Sequence, residues 1–181
     1  HFVTPHGLDN DEHYTTAYEL ALLSNYALKN KDFAQIVGTK SYTVTINNYT
    51  KTLSNTNELL GTLNGIYGIK TGFTNGANRC LVTACKRGNM DIICVVLGAD
   101  TKNFRTKDSI KLIEYVFKEY EPVNLNTLIK EKFDTWQKEN LNDFYIEKGR
   151  TQNICLKYEM LEHEIIPLKK DKIKTKKENS T

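Results

Sequence analysis

The sequence predicts an α+β fold, and three observations carry the prediction. A capped amphipathic segment lies near the start, three β-rich runs follow one another in the middle, and a second amphipathic segment comes directly after them. The first helix is expected at about 16–29, because Thr16 and Glu19 form a T-x-x-E capping box and Leu20, Leu23 and Ala27 recur at helical spacing. Residues 41–46 (Ser-Tyr-Thr-Val-Thr-Ile) predict a short strand, and the Asn-, Thr-, Ser- and Gly-rich residues 47–65 predict loop.

The three central strands are expected at Ile66–Gly72, Cys80–Lys86 and Met90–Leu97. If Gly88-Asn89 is a two-residue turn, Arg87 faces Met90 and Cys85 faces Ile92. One face then carries Leu81, Thr83, Cys85, Ile92, Cys94 and Val96, and the other carries Val82, Ala84, Ile93, Val95 and Leu97. Both are apolar, so the hairpin should be covered on both sides. In this register Cys85 and Cys94 lie diagonally, poorly placed for a bridge. A helix over 107–119 follows, with Ile113, Val116, Phe117 and Tyr120 as its buried stripe. Pro122 marks a boundary. Beyond it, the alternation of Ile154, Leu156, Tyr158 and Met160, with Tyr145-Ile146 and Ile165-Ile166, suggests part of a small β-rich domain.

Composition narrows the function classes. The 181 residues are 39% hydrophobic and 26% charged, with formal net charge +3. Six lysines against Asp171 and Glu178 give residues 169–181 a local charge of +4, so the rest of the chain is close to −1. Basicity confined to a tail argues against nucleic-acid binding, which needs a basic face on folded structure. No run approaches the 18 apolar residues of a membrane span. Cys80, Cys85, Cys94 and Cys155 show no C-x-x-C spacing and suggest buried free thiols, with a disulfide left open. His1, His6 and His13 beside Asp9, Asp11 and Glu12 match no standard ligand pattern, so no metal or other cofactor is expected.

The chemistry concentrates at Gly68-Ile69-Lys70-Thr71-Gly72-Phe73-Thr74, which closes one predicted strand before an Asn-Gly-Ala-Asn loop leads into the next. Lys70 offers an ammonium and Thr71 a hydroxyl to a carboxylate. Gly72 leaves the strand bare for a substrate backbone, and Phe73 offers a backbone N–H to an oxyanion. A lone K-T-G is also what an exposed strand-end lysine before a turn looks like. Its context is more specific: T-P-H-G-L at Thr4–Leu8, T-T-A-Y-E-L-A at Thr15–Ala21, N-T-N-E-L-L at Asn55–Leu60, then G-I-K-T-G-F-T, then L-V-T-A-C-K-R-G-N-M-D-I-I-C-V-V-L-G at Leu81–Gly98.

This ordered series resembles the low-molecular-mass penicillin-binding D-alanyl-D-alanine carboxypeptidases, the peptidase S11 family. The resemblance implies a penicillin-binding/β-lactamase-like transpeptidase fold over 1–121 and a partial β-rich domain over 122–168, which leaves the lysine-rich residues 169–181 as a tail. It implies a serine acyl-enzyme that trims peptidoglycan stem peptides ending in D-Ala-D-Ala, is acylated by β-lactams and works outside the cytoplasmic membrane. It also implies Lys70, Thr71 and Gly72 as the K-T-G triad and Arg105, thirty-five residues after Lys70, as a holder of the terminal carboxylate. His6 and Gly7 fall in the family's H-G-L turn, a structural place.

The family also needs S-x-x-K and S-x-N. None of Ser24, Ser41, Ser54, Ser109 and Ser180 begins either motif, so the nucleophile is expected upstream of His1 and this polypeptide alone is expected to be inactive. Two alternatives stay open: a β-lactamase or esterase of the same superfamily, and a non-catalytic wall-binding accessory protein. Residues 169–181 hold one large apolar residue, Ile173, too few to anchor an amphipathic helix in a bilayer.

Overall fold

A computed structural model describes residues 1–140, 165–171 and 173. The chain divides into two compact units, His1–Lys118 and Glu119–Thr181. The first runs α1 (Ala17–Ala27), α2 (Lys31–Gly38), β1 (Ser41–Ile46), β2 (Tyr49–Ser54), β3 (Ile66–Thr74), β4 (Asn78–Arg87), β5 (Met90–Ala99) and α3 (Lys102–Glu119). It is α+β as expected, with an antiparallel sheet in the order β3-β4-β5 and a separate β1-β2 hairpin.

Local chemistry sets these boundaries. At α1 both halves of the capping box form: Thr16 Oγ1 accepts from Glu19 N at 3.2 Å, and Thr16 N donates to Glu19 Oε2 at 2.9 Å. α2 has no counterpart among the sequence expectations. Asn30 caps it by accepting from Asp32 N and Phe33 N at 2.9 and 3.1 Å. The expectation of loop throughout 47–65 is corrected, because β2 occupies Tyr49–Ser54. Asn47 and Asn48 take φ +49° and +66° and form a two-residue turn, with Ile46 opposite Tyr49. Asn tolerates that left-handed backbone, so the Asn pair that resembled loop is a hairpin signal. Thr43–Thr52 and Thr45–Thr50 hydroxyl contacts at 3.0 Å tie the two strands.

The β4–β5 register is the expected one: Arg87 lies opposite Met90 and Cys85 opposite Ile92. Gly88 takes φ +57° at the turn. The two faces also separate as expected. Val82 and Ala84 join Val37 and Ile69 in one cluster, with Ile93 and Val95 against it, while Cys85 and Cys94 join Ile113 in another, with Ile92, Val96 and Phe117 against it. Helices α1 and α2 pack on the first face and α3 supplies Ile113 to the second. Among the described residues Cys80, Cys85 and Cys94 are free thiols.

α3 begins at Lys102, five residues earlier than expected. Thr101 caps it, with Phe104 N donating to Thr101 Oγ1 at 3.1 Å. Tyr120, expected on its buried stripe, instead opens β6 (Tyr120–Asn124), because the chain turns extended before Pro122.

In the second unit β6 pairs antiparallel with β7 (Ile165–Lys169), which contains the expected strand at Ile165-Ile166; Pro122 lies opposite Pro167. The helix α4 (Leu125–Asn140), absent from the sequence expectations, lies between them in the chain. The strands expected at Tyr145-Ile146 and Ile154–Met160, Cys155 and most of the lysine-rich tail lie outside the described residues. No helix among the described residues is long and apolar enough to cross a membrane.

Candidate functional site

The K-T-G triad lies on β3, the outer strand of its sheet. In the register with β4, Lys70 lies opposite Val82, Thr71 opposite Leu81, Gly72 opposite Cys80 and Phe73 opposite Arg79. Alternation then puts Lys70 and Gly72 toward one face and Thr71 and Phe73 toward the other. Among the described residues, the edge of β3 away from β4 has no strand partner. Its backbone groups there can pair with an extended ligand.

Lys70 is exposed, and its Nζ donates to Thr71 O at 2.7 Å. Thr71 Oγ1 meets Thr56 Oγ1 at 2.6 Å. A Cβ added to Gly72 would meet Cys80 Cβ at 3.7 Å, ordinary contact. Packing inside the chain therefore does not demand glycine there, whereas close approach of a ligand backbone would. Phe73 is 53% exposed, and the Arg79 guanidinium lies 4.0 Å from its ring centroid.

The N-T-N-E segment braces this strand from behind. Asn55 Nδ2 donates to Val37 O and Thr39 O, fastening the segment to the end of α2. Asn57 is 2% exposed; its Nδ2 donates to Gly68 O at 3.0 Å and its Oδ1 accepts from Leu59 N at 3.2 Å. Glu58 pairs with Lys102 Nζ at 2.5 Å and accepts from Thr106 Oγ1 at 3.3 Å. These contacts hold its carboxyl below the ordinary carboxylate range, the Lys102 hydrogen bond contributing most. Sequence reasoning assigned no role to Thr56, Asn57, Glu58 or Arg79. The N-T-N-E run was visible, but what each side chain grips depends on the return of β3.

Arg105 lies in the first turn of α3 and is 3% exposed. Its Nη2 stands 3.9 Å from Glu58 Oε2, too long for a hydrogen bond, and both Nε and Nη2 are buried without a hydrogen-bond partner among the described residues. Burial lowers its pKa below the ordinary guanidinium value, Glu58 opposes that shift, and Arg79 adds to it. Nε and Nη2 make one edge of the guanidinium, the fork that takes a carboxylate side-on. Leaving that edge unpaired costs roughly 1–3 kcal/mol for each buried group, and the N-terminus of a helix further favours an anion.

The histidines serve the backbone. Leu8 N donates to His6 Nδ1 at 3.2 Å across the turn at Gly7, which has φ +75°. Val3 N donates to His13 Nδ1 at 3.3 Å. Asp9 Oδ2 accepts from Gly76 N at 3.2 Å, tying this N-terminal loop to the β3–β4 connection.

With strand, brace and buried arginine in place, the comparisons agree with the architecture. The peptidase S11 family profile, described as D-alanyl-D-alanine carboxypeptidase, matches residues 1–101. The chain belongs to the peptidase S11 family of penicillin-binding D-alanyl-D-alanine carboxypeptidases. It is 36% identical over 121 residues to D-alanyl-D-alanine carboxypeptidase DacF of Bacillus subtilis (strain 168), covering 66% of this chain and 31% of that one. It is 31% identical over 186 residues to DacC of Escherichia coli (strain K12), covering 95% and 46%. Among solved structures, the Streptomyces K15 DD-transpeptidase matches with TM-score 0.58 at 35% identity, over 62% of this chain and 45% of that one. Penicillin binding protein 5 from Haemophilus influenzae matches with TM-score 0.61 at 31% identity, over 68% and 36%. The chain therefore spans less than half the length of each of these relatives.

Proposed function

We propose that this chain supplies the K-T-G wall and the carboxylate anchor of a serine-type D-Ala-D-Ala carboxypeptidase that trims peptidoglycan stem peptides outside the cytoplasmic membrane. The observation that carries this reading is the buried Nε/Nη2 edge of Arg105, without a hydrogen-bond partner among the described residues, together with a K-T-G strand whose outer edge has no strand partner among them. The substrate lies extended along β3. Its terminal carboxylate is held by the charge of Arg105 and by Thr71 and Lys70, its backbone passes over Gly72, and the scissile carbonyl oxygen meets the Phe73 N–H.

A serine from an S-x-x-K motif attacks the carbonyl carbon. Its proton passes by way of a neighbouring base to the amine of the leaving D-alanine as the C–N bond breaks, and water then hydrolyses the ester. β-Lactams acylate the same serine. The 181 residues contain neither S-x-x-K nor S-x-N, so the nucleophile belongs to a segment outside them. The exposed Tyr18, Leu22, Leu23 and Tyr26 of α1 offer an apolar surface that such a segment would cover. On this reading the His1–Lys118 unit is the C-terminal part of the catalytic domain and residues beyond 121 begin the domain that follows it.

Intact-protein mass spectrometry after incubation with a labelled penicillin tests the proposal. The chain alone should gain no covalent mass. The chain joined to the serine-bearing segment of a family member should gain one equivalent, and lose it when that serine becomes alanine. A stoichiometric adduct on the chain alone would overturn the assignment.

A further inference from the structure

Arg79 has no part in the roles assigned so far, yet it stands where a substrate lying along β3 must continue. In the proposed pose, on which this inference rests, the peptide runs from its carboxylate at Thr71 past the scissile carbonyl at Phe73, so the residue preceding D-Ala-D-Ala lies beyond Phe73. Arg79 is directly opposite Phe73 in the β3–β4 register, on the face that also carries Thr71. Its guanidinium is stacked 4.0 Å over the Phe73 ring, which holds the planar group in place and leaves its N–H edge available.

No carboxylate of the described chain claims that edge. Arg87 pairs with Glu114, and both Lys102 and Arg105 face Glu58. The neighbouring acids are otherwise placed. Asp100 follows Ala99, which lies opposite Arg79, and makes no ion pair with it. Asp9 is engaged by Gly76 N, and Glu58 by Lys102 and Thr106. Arg79 is also close enough to Arg105 for the two positive charges to act on each other, so the surroundings favour an incoming anion.

We propose that Arg79 is a specificity-determining residue that selects stem peptides carrying a free side-chain carboxylate on the residue preceding D-Ala-D-Ala.

The test compares two probes bound to this chain by ¹⁵N-resolved NMR titration: acetyl-Glu-D-Ala-D-Ala and acetyl-Gln-D-Ala-D-Ala, which differ in one side-chain charge. The glutamate peptide should bind roughly fivefold more tightly at low salt, and that preference should shrink as salt is raised. The shifts should include Phe73 and the Arg79 Nε–H. R79Q should remove the preference and R79K should keep part of it. The salt dependence in the unsubstituted chain stands as evidence even if a variant misfolds. Equal affinity for the two peptides, or a preference that survives R79Q, overturns the role of Arg79 while leaving the D-Ala-D-Ala site intact. Failure of both peptides to perturb Thr71–Thr74 overturns the reading of the K-T-G strand itself, and the role of Arg79 with it.

Discussion

Cys80, Cys85 and Cys94 differ less in sequence context than in surroundings. Burial raises the Cys85 thiol pKa and pushes that of Cys94 up to about 11, with Cys85 adding to the latter, while Cys80 lies at a half-exposed position opposite Gly72. Because the thiolate is the reactive form, brief iodoacetamide treatment near pH 8 followed by peptide mapping should label Cys80 well before the other two. Equal labelling would mean that the sheet is open. Arg87 shows a different dependence. It reaches Glu114 through Nη1 and Nη2 at 3.1 and 2.6 Å, donates through Nε to Asn64 O at 3.0 Å, and lies over Phe117. The hydrogen bond from Arg87 is the main cause that lowers the Glu114 pKa. A carboxyl lowered in the folded state stabilises fully above its unfolded pKa of about 4.5 and loses that contribution as pH falls through the lower folded value. E114Q should therefore cost about 0.5 kcal/mol in urea unfolding at pH 7, a small amount because the carboxylate is half exposed, and progressively less as the pH is lowered below the ordinary carboxylate range.

Elements here are held by a few specific groups. T16A removes the hydroxyl that caps α1 and should destabilise the protein by about 1 kcal/mol, measured by urea unfolding. Asn57 is a stronger case. N57A leaves Gly68 O, at the start of the K-T-G strand, without its side-chain donor, and should cost about 1–3 kcal/mol. Hydrogen exchange should rise first at β3, and an unchanged exchange pattern would contradict the bracing role. Gly65 enters β3 with φ +84°, and a Cβ there would run into the Lys86 carbonyl oxygen. G65A should then destabilise by at least about 1 kcal/mol, the reverse of the usual gain from Gly to Ala.

At the scale of the molecule, the first unit is a sheet with helices on both faces, and Ile113 is the side chain of α3 that reaches fully into one of them, at 0% exposure. I113A should cost about 3 kcal/mol by thermal or urea unfolding. A loss under 1 kcal/mol would mean that α3 is not seated on the sheet.

The period-two alternation of β4 and β5 made both faces and the register legible from sequence, because a fixed two-residue turn leaves one alignment that buries both apolar sets. The Thr16–Glu19 box announced α1 for a similarly local reason, and the K-T-G run marked the strand on which the proposed site rests. The β1–β2 hairpin was lost because an Asn pair in left-handed backbone looks like loop in composition, and α2 because eight residues carry too little periodicity.

What the sequence by itself determined was therefore the local and the periodic: a helix cap, strand faces, turn register and the strand that carries the K-T-G run. Only the tertiary structure decided that Arg105 is buried with a fork unpaired among the described residues, that Asn57 grips Gly68 of β3 while Glu58 meets α3, and that Arg79 stacks on Phe73. Those facts depend on how residues 6, 11 and 47 positions apart in the chain return to one another in space, and no periodic pattern encodes that return.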